Sequence, residues 1–272
     1  MGSRVIKPYY LDGCRGANFV LSHQAGTGHA LVLLTPFGDE MNKSRHLLNS
    51  MMQNAATAGI SSYLMDPYGT GDSMGDLDQV TVLDWRADFL QLLQHIATQG
   101  YTKVSFIAVR FGSLMLLDLL QQPLPLPVSH IILWQPQLDA GRFMQQLFRL
   151  KIAEHMSNGS KTNQAELEQQ LADGKTLEIA GYPLSRAFCH SISQLSGMPA
   201  PRTEKPALHW FEVSAFANPG VAVQKQAEAL SQSFAVQLQL INSDPFWSTQ
   251  ELVGAPELIR RSLAVLEQAH AD

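Results

Sequence analysis

Cysteine is nearly missing from this chain. Cys14 and Cys189 are the only two in 272 residues. They lie far apart and lack the paired spacing of a metal knuckle, which argues against a zinc ribbon and against a disulfide framework. Two reduced thiols in a cytoplasmic protein are the expectation. Charge is sparse too: 16% of residues are charged, with 24 acids, 19 bases and a net charge of −5. That balance does not suit a nucleic-acid partner. No apolar run reaches the ~18 residues of a membrane span. The start, "MGSRVIKPYYLDG", lacks the apolar stretch of a signal peptide, and Ile6 stands where myristoylation at Gly2 needs Ser or Thr.

Motifs for metals and cofactors are also missing. The sequence has no HExxH, no CxxC, no Walker loop and no GxGxxG after its first strand. "GTGDSMG" (69–75) resembles a phosphate loop only superficially, because it has no lysine and the wrong glycine spacing. No metal or cofactor is expected. Internal repeats and low-complexity segments are absent.

What is present is alternation. Apolar strand-like runs follow one another with helix-like segments between them, the signature of a mostly parallel sheet flanked by helices. Two early strands meet at the turn Asp12–Gly13. "ALVLLTPFG" (30–38) is apolar throughout, as a strand buried on both faces should be. A helical stripe runs over 43–58. "ISSYLMDPYGTGDSMG" (60–75) reads as a strand entering a glycine-rich loop. Val82, Trp85, Phe89, Leu92, Leu93 and Ile96 recur at helical period and stop at Gly100. Strands follow over 103–109 and 128–136, with an apolar helix over 112–122 between them. From 139 to 204 strand runs vanish, and two helical patterns, 141–156 and 164–173, fill a mainly helical cap insertion. The core resumes with a strand over 207–216, a helix near 221–233, a strand over 235–241 and a last helix near 256–269. The expected organisation is a core of 1–138 and 205–272 around the insertion 139–204.

In such a sheet, ligands gather at the carboxyl ends of the strands. Five loops end there. "TPFGDEMNKSR" brings Phe37, Asp39, Glu40, Lys43 and Arg45; "DPYGTGDSMG" brings Asp66 and Asp72; "WQPQLD" brings Trp134 and Gln135; "NSDPFWSTQE" brings Asp244, Phe246 and Trp247. Each has an ordinary structural role open to it. Asp66 and Asp72 suit a turn whose carboxylates take backbone N–H groups. Asp39 and Glu40 suit the first turn of a helix. The tryptophans suit a wall. Phe37, Arg45, Trp134, Gln135, Phe246 and Trp247 are the candidate pocket residues.

The fifth loop is the sharpest. In "FIAVRFGSL" (106–114) a buried strand breaks into a helix, and the pattern G-x-S-x-G of a nucleophile elbow falls on Ala108, Val109, Arg110, Phe111 and Gly112. Arginine stands where the serine would be. A cation at a helix N-terminus is disfavoured, so Arg110 needs a carboxylate or an anion, and Glu40 or Asp39 is in reach. Arg110 then either bridges loops or binds a ligand's carboxylate or phosphate. The remaining triad positions are also replaced. Ala217 and Asn218 follow the strand that should present the acid, and Pro245, Phe246 and Trp247 follow the one that should present the histidine. Ser113, three positions past the elbow residue, suits a backbone contact better than a substrate. His190, in the insertion, has the cleft or the surface open to it.

"LLTPFGDEMNKSR", "DPYGTGDSMGD", "DWRADF", "AVRFGSL", "LWQPQ", "QQLFRLKIAEHM", "HWFEV" and "DPFWSTQE" together resemble the exosortase A system-associated hydrolase 2 family, over about residues 8 to 260. The resemblance implies an α/β-hydrolase fold, an elbow that lacks serine, and a setting among exopolysaccharide and exosortase-dependent sorting genes. Two functions follow as expectations. One is an esterase- or thioesterase-like hydrolase with Glu40 or Asp39 as base and Arg110 as oxyanion stabiliser. The other is a non-catalytic pseudo-hydrolase that holds an anionic or acyl-bearing small ligand, or a protein partner from that system.

Overall fold

The structure, a computed structural model, describes residues 5–271 apart from Thr27, Arg202 and Glu204. Gly2, and Glu204 at the end of the expected insertion, lie outside the described residues. Eight strands form one sheet: β1 (Val5–Asp12), β2 (Ala17–Gln24), β3 (His29–Leu34), β4 (Ser61–Met65), β5 (Lys103–Val109), β6 (Val128–Trp134), β9 (Ala207–Val213) and β10 (Ala235–Ile241). Their order is β1-β2-β4-β3-β5-β6-β9-β10. β2 runs antiparallel to both neighbours, and the pairs from β4 to β10 are parallel. This is the expected mostly parallel sheet.

Alternation along the central strands builds two separate cores. Leu31, Leu33, Ile107, Val109, Ile132, Trp134 and Phe211 face one way, toward α1 (Asp39–Thr57) and α8 (Pro256–Ala271). Val32, Leu34, Phe106, Ala108, Ile131, Leu133, Leu208 and Trp210 face the other way, toward α2 (Val82–Thr98) and α3 (Phe111–Leu119). Both faces of β3 and β4 are covered, which is why those strands read as unbroken apolar runs. α7 (Val221–Leu230) lies between β9 and β10 in sequence.

Helix ends follow local chemistry. Thr81 and Asp84 form a capping box that starts α2. α1 starts at Asp39, earlier than its apolar stripe suggests, because Gly38 takes a φ of 64° and the acids Asp39 and Glu40 occupy the first turn. The strand expected to run to 136 ends at Trp134, because Gln135 turns to a φ of 46°.

Between β6 and β9 lie α4 (Ala140–Ser157), α5 (Gln164–Ala172), the hairpin β7 (Leu177–Ile179) and β8 (Tyr182–Leu184), and α6 (Arg186–Ser193). The two expected helices are there. The hairpin corrects the expectation that strands vanish from this segment, and α6 adds a third helix to the two expected. Three-residue strands are too short to show a period of two. Their turn uses Ala180 and Gly181, at φ 51° and 84°, without the Asn-Gly or Asp-Gly pair that marks such turns. This segment packs into the α2–α3 core through Phe143, Leu147, Leu167 and Phe188.

Candidate functional site at the elbow

At the carboxyl end of β5 the chain turns sharply at Arg110, whose φ of 52° and ψ of −119° are rare for a residue with a side chain. Three backbone bonds hold the turn. Arg110 N–H donates to Trp134 O at 3.1 Å, and Arg110 O accepts from Ser113 N at 2.9 Å and Gln137 N at 3.2 Å. Gly112 packs so close to β3 that an added Cβ would lie 2.6 Å from Thr35 O and 2.7 Å from Leu34 O. The last glycine of the elbow pattern is therefore sterically required. Ser113 is buried and donates to Ala108 O at 3.1 Å.

Arg110 reaches from the end of β5 to the first turn of α1. Its Nε donates to Glu40 Oε2 at 3.2 Å and its Nη2 to Oε1 at 3.1 Å. The side chains are 13% and 19% exposed, and the guanidinium lies 5.0 Å from the Trp247 ring centroid. Such a two-pronged pair fixes direction as well as charge. It also resolves two opposed preferences. A carboxylate is favoured in the first turn of α1, while a cation at the start of α3 is not.

Glu212, which sequence reasoning passed over, belongs to the same group. Its Oε2 accepts from Trp210 Nε1 at 2.9 Å and its Oε1 from Gln135 Nε2 at 3.0 Å. Burial raises its pKa, and those hydrogen bonds and the charge of Arg110 pull it back. A charged residue inside the apolar run "HWFEV" was the signal available in the sequence. Gln135 also accepts from Val213 N at 2.6 Å, tying the ends of β6 and β9 together.

The other candidates divide by location. Asp39 pairs with Lys43 at 2.7 Å at the cleft edge. Phe37 sits among Trp85, Phe111, Phe143, Tyr182 and Phe188, with centroids 5.7–6.2 Å away. Arg45 pairs with the buried carboxylate of Asp66. The second oxygen of Asp66 accepts from Asp72 N at 3.1 Å, so Asp66 organises its own loop. The side chains of Trp134 and Phe246 meet edge to face at 6.3 Å on the α8 side of the sheet. Trp134 shares a sheet face with Ile132, is fully buried toward α8, and donates from Nε1 to Ser262 Oγ at 2.9 Å.

Two clefts flank the ion pair beneath α4. One, of about 310 Å³, is lined by Glu40, Leu147, Leu150, Ile179, Tyr182 and Trp247, among others. The other, of about 260 Å³, is lined by Arg110, Gln137, Asp139, Arg142, Gln146 and Gln226, among others. Phe143 and Gln146 border both.

No histidine among the described residues bonds to this group. His190 is exposed beside Gln194. His46 Nε2 meets Val253 O at 2.9 Å. His29 meets Ser105, and His130 stacks on His209. Among the described residues no three His, Cys, Asp or Glu side chains gather as metal ligands.

The sheet order, with one antiparallel strand ahead of a parallel run, and the strained turn after β5 decide the architecture. The fold is that of the α/β hydrolases. Solved structures with the same fold include Est1E from Butyrivibrio proteoclasticus with ferulic acid bound, at a TM-score of 0.72 and 13% identity over 97% of this chain and all of that one. An esterase of Pyrococcus furiosus matches at 0.63 and 12%, over 97% of this chain and 91% of that one. Mouse alpha/beta hydrolase domain-containing protein 10 matches at 0.60 and 12%, over 97% and 98%. No family model matches the sequence, and no curated protein does either. On this α/β-hydrolase sheet the elbow residue is an arginine held by a glutamate. No helix among the described residues is long and apolar enough to cross a membrane.

Proposed function

We propose that this protein binds an acyl-bearing small molecule in the clefts around Arg110 and Glu40, without a Ser-His-acid triad to cleave it. The two-pronged Arg110–Glu40 pair carries this reading. Each oxygen of Glu40 accepts from Arg110, which holds the carboxylate against the guanidinium edge and commits it to that pairing. The esterase or thioesterase role that the family resemblance suggests would need it to draw a proton from water instead. The aromatic and aliphatic walls around Trp247, Tyr182 and Leu150 suit an apolar chain, and about 310 Å³ is at the lower end of small-molecule sites. The exopolysaccharide and exosortase setting makes a lipid- or sugar-linked intermediate, or a protein of that system, the first partner to try.

The test is a panel of acyl esters and acyl thioesters, read for both turnover and thermal stabilisation. Acyl-bearing compounds should raise the melting temperature, less so in Trp247→Ala, with no turnover. Turnover that Glu40→Gln abolishes would restore the hydrolase reading.

A further inference from the structure

We infer that the cleft on the Arg110 side takes an uncharged, hydroxyl-bearing head group, whose apolar part lies in the Trp247 cleft. This rests on the binding reading above and specifies the ligand. The charges that line the head-group cleft are already countered. Arg110 is spent on Glu40, and Arg142 stands 3.6 Å from Asp139. No surplus positive charge remains to compensate an anion for its lost hydration.

Hydrogen-bonding capacity does remain. Arg110 uses Nε and Nη2 on Glu40, which leaves Nη1 without a hydrogen-bond partner among the described residues. Gln137 is fixed beside the elbow by its N–H to Arg110 O, at 3.2 Å. Its Nε2 donates to Gln146 Oε1 at 2.8 Å, while its Oε1 is buried with no partner among the described residues. An orphaned buried amide atom is costly, roughly 1–3 kcal/mol. Arg110, with a spare donor, and Gln137, whose unpartnered Oε1 is shielded from solvent and must turn to meet a ligand, line one cleft. A carboxylate or phosphate satisfies the first and repels the second. A hydroxyl group satisfies both, because it accepts and donates, and it serves either orientation of the Gln137 amide. Gln146 and Gln226 extend the same neutral polar lining. Phe143 and Gln146, which border both clefts, mark where head and chain meet.

The probes are 1-O-octylglycerol, which has an uncharged dihydroxy head on an ether that cannot be hydrolysed, and octanoate, which carries a similar chain and a negative head. Both are titrated calorimetrically into the full chain below micellar concentration. Octylglycerol should bind at least about tenfold more tightly, and Gln137→Leu should remove about tenfold from it while leaving octanoate unchanged. Gln226→Leu, on α7, supplies a second variant with the same readout should Gln137→Leu fail to fold. Octanoate binding as tightly as octylglycerol overturns the head-group inference and leaves the binding reading standing. If neither probe binds, both fall.

Discussion

An arginine at the N-cap of a buried helix is unfavourable until something answers its charge, and Glu40 answers it from another helix's first turn. Replacing Arg110 by serine restores the letter of a nucleophile elbow and nothing else. Glu40 would lose both of its donors in a mostly buried place, at a cost of roughly 1–3 kcal/mol. Denaturant unfolding of Arg110→Ser should show that loss, and p-nitrophenyl acetate should remain uncleaved, since no histidine among the described residues bonds to the group. His209 offers a prediction about pH. Burial, helped by the charge of His130, pushes its pKa down to about 4, and neither ring nitrogen has a hydrogen-bond partner among the described residues. The unfolded chain therefore binds a proton that the folded one refuses between about pH 6.5 and 4. The stability tied to His209 is complete above that window and is lost as pH falls through it. His209→Leu should flatten the loss, measured by melting temperature against pH, and should raise stability at pH 7 by roughly 1 kcal/mol. Arg110 and its acidic neighbour were legible from the sequence, because a charge in an apolar run demands a partner. The turning of the Trp134 side chain toward α8 was not, because a strand's alternation is fixed only once its register is known.

At the scale of elements, the elbow depends on how closely α3 approaches β3. Gly112→Ala would drive a methyl group to within 3 Å of two backbone carbonyl oxygens that cannot swing away. A loss of roughly 2–4 kcal/mol is expected in denaturant titration. Ala108, at the other small position of the pattern, is buried in a strand and already carries its Cβ, so the two ends of the pattern are under different constraints. Long strands and amphipathic helices declared themselves in the sequence through their periods. The β7–β8 hairpin did not, being three residues a side with a turn that lacks the usual residues. It still matters to the site, because Ile179, Ala180 and Tyr182 form one wall of the larger cleft.

For the whole molecule, the segment between β6 and β9 and the sheet share one apolar core. Phe37 from the sheet side touches Phe143 and Phe188 from the segment, and Phe111 stacks on Phe143 at 4.3 Å. Each buried aromatic of this kind is worth roughly 1.5–3 kcal/mol, a sizeable part of a typical stability of about 5–15 kcal/mol. Calorimetry should therefore show one unfolding transition, with the segment and the sheet melting together. Two resolved transitions would mean that the segment folds as a separate unit. The alternating plan of the chain was legible early, since buried parallel strands leave unbroken apolar runs. How the segment would pack was not, because its polar outer faces conceal the few aromatics that anchor it.

The turn at Arg110 combines a positive φ with a guanidinium side chain. Reagents that report serine hydrolases, such as fluorophosphonates, form a covalent bond with a serine hydroxyl. On the binding reading proposed above, a proteome profiled with them leaves this chain unlabelled, however closely its outline matches the enzymes they capture. On the same reading, affinity matrices that present an acyl-bearing ligand would retain it.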